Sequence, residues 1–294
     1  MPFDPVITKE IARLPARRED AHKGEVGRIV VIGGCADEVM MVGAPALAAS
    51  AALRSGAGLV QMIVPQEIRA AVAAIAVCAT TRTLPTELAP LLAATNEFKA
   101  DVAVVGPGLG RSLDPSVVAA FLREFEGPIV LDADGLNLLA AADRCEIPSA
   151  SRVIMTPHPG ELRHLLASRG RNMSVDGTLP SRRAAGCALV EEFGCTAVIK
   201  GHGTIVTNGA RLYINETGNS GMATGGTGDV LTGVIAALLG QRMEPLEAAI
   251  LGVYLHGLAG DFAAEELGRR SMTALDLMEC LPDAFCDHEV SETE

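Results

Sequence analysis

The sequence predicts an α/β protein with a mostly parallel central sheet, helices on both faces and an antiparallel edge. Three observations predict it. Short β-type apolar runs alternate with helix-length segments through most of the chain. Those runs are continuously apolar, as strands buried on both faces require. Past residue 195, strand-like runs crowd together around Asn208–Gly209, a hairpin signal.

Taken in order, Arg28–Ile32 reads as a buried strand that stops at Gly33–Gly34, and the Ala/Leu-rich stretch Gly43–Ala57 as a helix. Leu59–Val64 is a strand ending at Pro65, and Val102–Val105 one ending at Gly106-Pro-Gly-Leu-Gly110, with a helix over Asp114–Phe125 after it. Ile129–Leu131 ends at Asp132, and Val153–Met155 ends at Thr156–Pro157. Ala197–Ile199, Thr204–Val206 and Arg211–Ile214 form the antiparallel part. The last third is helical over Asp229–Leu239, Pro245–Leu267 and Thr273–Leu281, and the acidic end His288–Glu294 is expected to fray. With no repeat, low-complexity block or linker, one domain over 1–294 is expected.

Composition narrows the function classes. The 294 residues are 49% hydrophobic and 20% charged, which excludes a disordered chain. A formal charge of −12 disfavours phosphate-backbone binding, so no nucleic acid partner is expected. The N-terminus has no signal pattern. The longest uncharged stretch, Val39–Leu53, falls short of the ~20 apolar residues a spanning helix needs, so no membrane is expected. Seven scattered cysteines (35, 78, 145, 187, 195, 280, 286) without a C-x-x-C pair point to reduced thiols in a cytoplasm.

The chemistry is expected beyond the carboxyl ends of the strands, where open parallel sheets bind ligands. The strongest segment is Asn219–Gly233: glycines 221, 225, 226 and 228 let the backbone approach a ligand, and a helix follows at once. An anion is expected at Gly226–Gly228, with Asp229 facing it from the first turn. A carboxylate beside an anion hole suits a general base; a favourable first-turn charge is the plainer alternative. Neither G-x-x-x-x-G-K-[ST] nor G-x-G-x-x-G occurs at these loops.

Asp132 and Asp134 share one side if the chain is still extended there, and could hold Mg²⁺ through water; an Asx turn is the equal alternative. His158, at a strand end next to a glycine, reads as a hydrogen-bonding ligand contact, and the spacing to Glu161 and His164 is not that of a zinc site. Lys200, just past a buried strand, must find a partner or stand at the surface. His256 reads as a satisfied structural histidine.

These motifs, in this order, carry a resemblance. Gly33–Gly34, Gly43–Ala44 with Ala52–Gly58, Val105–Gly110, Leu131–Leu138, Thr156–Glu161, Lys200–Thr204 and Gly225–Leu231 resemble the ADP-dependent NAD(P)H-hydrate dehydratases. The match runs from about Lys23 to Leu281. It implies a ribokinase-like αβα sandwich with its core over about 23–281. It also implies a stand-alone dehydratase with no fused epimerase domain.

The implied activity is ADP-dependent dehydration of the S-epimer of hydrated NADH or NADPH, with ADP converted to AMP and phosphate. Ala44, Gly108 and His158 match contacts to the hydrated nucleotide, and Asp229 the position beside it. Lys200, Gly201, His202, Gly203 and Thr204, with Gly228, match contacts to the adenine nucleotide. Asp229, with Gly226 and Gly228, would form the catalytic group, and Mg²⁺ is the implied cofactor. Related kinases carry N-x-x-E for the metal; His158-Pro-Gly-Glu161 departs at the first position and leaves Glu161 as the metal candidate. The resemblance further implies a cytoplasmic homotetramer. Two rival readings are a small-molecule kinase of the same fold, of thiamine-precursor type, and a non-catalytic nucleotide-binding protein.

Overall fold

All ten strands of the described residues lie in one sheet. The computed structural model describes residues 5–143, 147 and 152–291. The strands are β1 (Val6–Thr8), β2 (Arg28–Ile32), β3 (Leu59–Val64), β4 (Thr80–Thr83), β5 (Val102–Val105), β6 (Ile129–Leu131), β7 (Val153–Met155), β8 (Thr196–Ile199), β9 (Ile205–Thr207) and β10 (Arg211–Ile214). Their spatial order is β1-β10-β9-β8-β7-β6-β5-β2-β3-β4. Only β9 runs against its neighbours. The antiparallel part therefore sits at one side of the sheet, as expected, with the unanticipated β1 pairing in parallel outside it.

The helices are α1 (Gly43–Arg54), α2 (Arg69–Ile75), α3 (Leu88–Phe98), α4 (Pro115–Glu124), α5 (Asp134–Ala141), α6 (Pro159–Ser168), α7 (Leu179–Phe193), α8 (Thr227–Gly240), α9 (Pro245–Leu267), α10 (Ala274–Glu279) and α11 (Leu281–Ser291). Strand residues alternate between two cores, one per face. Val31, Met62, Val104, Val130 and Val198 pack against α1, α8 and α9. Val30, Ile63, Val105, Leu131 and Ile199 pack against α3 to α7. This period of two, buried on both sides, is why the strands read as unbroken apolar runs.

The chain leaves β2 toward β3 and β4, then returns to β5 on the other side. A crevice thus opens beyond the ends of β2 and β5. The ends of β5, β6, β7 and β8 deliver Gly106, Asp132, Thr156 and Lys200 to that same edge.

The C-terminal end departs from expectation. Residues 281–291 continue as a helix, because Leu281 and Ala284 are buried in the core and His288 is tucked beneath the Ala12 carbonyl at 3.2 Å. The rest of that predicted frayed end, 292–294, lies outside the described residues, as does Cys145. The other six cysteines are reduced, outside any disulfide, and no described helix is long and apolar enough to cross a membrane.

Candidate active site

Helix α8 begins where the glycines end. Gly226 takes the N-cap place at φ 94° and offers no side chain to the first-turn amides, so those donors and the positive helix end stay open to an anion. A side chain would be strained at that φ, and its Cβ would meet Leu47 Cδ1 of α1 at 2.7 Å and Ala274 Cβ at 3.0 Å. His256 of α9 braces the same turn, its Nε2–H donating to the Thr227 carbonyl at 2.9 Å. Burial, above all, pushes that imidazole down to about 4, so it is neutral and structural, as its sequence context suggested.

Opposite the glycines stands Lys200, at the end of β8. Its ammonium lies 2.7 Å from Asp132 Oδ1 and 3.9 Å from Glu161 Oε2. It also lies 3.6 Å from where a Cβ of Gly228 would be. Burial works to lower its pKa, but the charges of Asp132 and Glu161 outweigh that and hold it above its ordinary value. Lys200 therefore remains a cation facing the proposed anion hole.

Asp229 follows in the first turn of α8. Burial first, then the charge of Asp132, raises its pKa to about 7, with Lys200 opposing only in part. The helix end favours the carboxylate form, yet these effects outweigh it. A carboxylate that titrates near neutrality is suited to exchanging a proton.

A cavity of about 480 Å³ opens beside this cluster, lined by the loop Lys200–Thr204, by Gly228 and by His256, among others. Across the crevice, Ala44 and Gly108 face each other: a Cβ at Gly108 would stand 3.1 Å from the Ala44 methyl. Helix α1 joins the two regions, since Ala44 and Leu47 lie about one turn apart.

His158 plays a role that its sequence context did not indicate. Its Nδ1 accepts from the amides of Gly160 and Glu161 while Glu161 Oε2 accepts from the His158 amide at 2.8 Å, a capping box for α6. Its Nε2 lies 3.3 Å from Glu161 Oε1, and the imidazole is otherwise largely exposed.

Asp132 and Asp134 do not point together. Ala133 adopts φ 48°, which breaks the extended geometry that a shared metal would need. Asp134 instead accepts from the Gly110 amide at 2.8 Å. Nor do these acids fit a protein-held Mg²⁺, Glu161 included. Asp132 commits both oxygens, to Lys200 and to Thr232, and the Lys200 ammonium already supplies the cation between Asp132 and Glu161. Among the described residues, no three His, Cys, Asp or Glu side chains gather as a metal cage.

Two further residues escaped the sequence reading. Thr232, buried on α8, donates to Asp132 Oδ2 at 2.8 Å. A polar residue inside the apolar run Val230–Ile235 was the available signal. Arg182 is 2% exposed and donates to the carbonyls of Gly177, His202 and Gly203, fixing the Lys200–Thr204 loop from below. Nothing in its surroundings along the chain marked it.

The family model described as NAD(P)H-hydrate dehydratase matches residues 29–283. The chain belongs to the NAD(P)H-hydrate dehydratase family. It is 40% identical to the bifunctional NAD(P)H-hydrate repair enzyme Nnr of Moorella thermoacetica, over 92% of this chain and 51% of that one. It is 38% identical to the ADP-dependent (S)-NAD(P)H-hydrate dehydratase of Neisseria meningitidis, over 86% and 82% respectively. The chain thus spans about half the length of the bifunctional relatives. Among solved structures, the ADP/ATP-dependent NAD(P)H-hydrate dehydratase of Bacillus subtilis, co-crystallised with ATP/Mg²⁺, superposes with a TM-score of 0.77. It is 26% identical, with 94% of each chain covered. A ribokinase-like superfamily protein of Enterococcus faecalis superposes with a TM-score of 0.78 at 27% identity, over 94% of this chain and 92% of that one, so the ribokinase-like fold expected from the motifs is the fold observed.

Proposed function

We propose that the protein dehydrates the S-epimer of hydrated NADH or NADPH, using ADP as co-substrate. The observation that carries this reading is Asp229, titrating near neutrality in the first turn of α8, immediately past an uncapped glycine turn and across from the Lys200 cation.

The chemistry requires a leaving group better than hydroxide. Asp229 takes the proton from the C6 hydroxyl of the hydrated ring, and that oxygen attacks the terminal phosphorus of ADP. The bond from that phosphorus to the bridging oxygen breaks, and its electron pair leaves with AMP. The open first-turn amides at Gly226–Gly228 and the Lys200 ammonium face charge on the moving phosphoryl group, a preorganised arrangement of the kind that lowers such barriers most. The ring nitrogen lone pair then expels phosphate, leaving a ring iminium, and transfer of a proton from C5 to water restores the reduced nicotinamide.

In this reading the nucleotide occupies the 480 Å³ cavity beside Lys200–Thr204. The hydrated substrate lies along the crevice of Ala44, Gly108 and His158. Magnesium would serve as counter-ion to the nucleotide's phosphate charge, which suits an ion that keeps its waters. The reading extends to a cytoplasmic homotetramer. Exposed Val39, Met40 and Met41 give a subunit face apolar surface to bury.

The test mixes the purified protein with hydrated NADH and follows the absorbance of reduced nicotinamide with and without ADP. Absorbance should return only with ADP, and AMP should form in equal amount. Return without nucleotide contradicts the reading, and a stable phosphorylated product would assign the protein to the kinases of this fold.

A further inference from the structure

We propose, resting on that phosphoryl-transfer reading, that Asp132 is a positioning residue: its buried carboxylate holds the Lys200 ammonium at the Gly226–Gly228 turn and, through Thr232, ties it to the helix that carries Asp229. Asp132 is 1% exposed, so it lies beneath the site and acts through other groups. Both of its oxygens are engaged, one by Lys200 Nζ at 2.7 Å and the other by Thr232 Oγ1 at 2.8 Å. Thr232 shares its single hydrogen with the Gly228 carbonyl at 3.0 Å, so the carboxylate and the glycine turn are held by one hydroxyl.

Stability alone is a poor reason for this pair. Burying two charges costs desolvation that well-packed apolar side chains would avoid. A lysine that must face phosphates, however, loses much of its effect if its flexible stem wanders. A fixed carboxylate beneath it removes that freedom before the nucleotide arrives, which is the condition for strong electrostatic catalysis.

The same negative charge bears on the base. The charged groups facing Asp229 are Asp132 and Asp134 from the β6–α5 corner and Lys200 from β8, while the neutral His256 of α9 faces the glycine turn. Of the neighbouring charges on Asp229, that of Asp132 is the largest, and it strengthens the hold of Asp229 on a proton.

The experiment compares wild type, Asp132→Asn, Lys200→Met and the double variant. The carboxamide keeps the size of the carboxylate and an acceptor for Lys200, and Thr232 can turn to accept from its NH₂. Asp132→Asn should lower kcat/KM by about 10²-fold and weaken ADP, measured by calorimetry, by about tenfold. The acid limb of its pH profile should move down by about one pH unit, a shift that a purely structural role would not produce. The double variant should be no worse than Lys200→Met, because Asp132 acts through that side chain.

Wild-type ADP affinity together with an unmoved limb in Asp132→Asn overturns the proposal, as do losses that simply multiply in the double variant. Should Asp132→Asn fail to fold, Thr232→Val carries the test: turnover should fall about tenfold, and unchanged turnover refutes the tie. If wild type restores no cofactor at all, the functional reading fails by itself. The ADP affinities of the four proteins still decide whether Asp132 holds Lys200.

Discussion

Asp229→Asn is expected to fold, bind ADP and lose nearly all turnover. The carboxamide matches the carboxylate in size and sits in the same first turn of α8. Binding to the glycine turn should persist, and should tighten slightly as a negative charge leaves the neighbourhood of the phosphates. What the variant lacks is a group able to take the C6 hydroxyl proton, and losing a positioned general base costs about 10²- to 10⁴-fold in rate.

Stability gives an independent reading of the same residue. In the folded protein Asp229 titrates at about 7, against 3.8 for an ordinary aspartate, so the folded state holds the proton more tightly than the unfolded chain. Wild-type stability therefore declines as pH rises from about 4 toward 7. Asp229→Asn has no such decline, and its melting temperature should exceed that of wild type at pH 8 while converging with it at pH 4. A purely structural cap predicts the opposite, an Asn variant that melts lower. Wild-type kcat/KM should rise with pH up to about 7 and then level off, as the base loses its proton.

Gly106→Ala is expected to have the largest effect on folding. Gly106 follows β5 at φ 124°, where only glycine is comfortable, and a Cβ there would drive into the Asp132 carbonyl oxygen and come within 2.6 Å of the Gly135 amide nitrogen. Those two backbone groups are hydrogen-bonded to each other at 2.9 Å, closing the corner that carries Asp132. Strain and clash together should cost more than about 3 kcal/mol, lowering Tm by roughly 6–12 °C. Whatever remains folded should bind ADP weakly, because the displaced corner no longer holds Lys200. The control is Gly225→Ala: nothing lies within 4 Å of its added Cβ and its φ is not positive, so stability should change by less than about 0.5 kcal/mol. Equal Tm values for the two variants would contradict this account of the corner.

Much of the fold was legible because local pattern and tertiary role agree. β2, β3, β5, β6 and β7 run as their apolar stretches indicated, and α9 occupies the anticipated Pro245–Leu267. The strands that escaped lack that pattern. β4 is Thr-Thr-Arg-Thr, and β1 is three largely exposed residues held by backbone pairing to β10. The acidic 281–291 stretch stays helical because it packs on the core, which its own charge pattern does not disclose.

The candidate site divides in the same way. Its backbone-built parts, the glycine turn and the first-turn Asp229, are contiguous and could be read directly. Its side-chain wiring joins residues far apart: Lys200 meets Asp132 across 68 positions, and Thr232 meets it across 100. The turn at Ala133 that separates Asp132 from Asp134 depends on a positive φ at an alanine, which no residue type announces.

The most direct measurement follows one oxygen atom. Hydrated NADH prepared with an oxygen-18 hydroxyl on C6 is incubated with the protein and ADP, and the products are separated. If that hydroxyl attacks the terminal phosphorus and then leaves with it, the label appears in inorganic phosphate, one atom for each NADH restored. Label released into water, with unlabelled phosphate, would contradict the account.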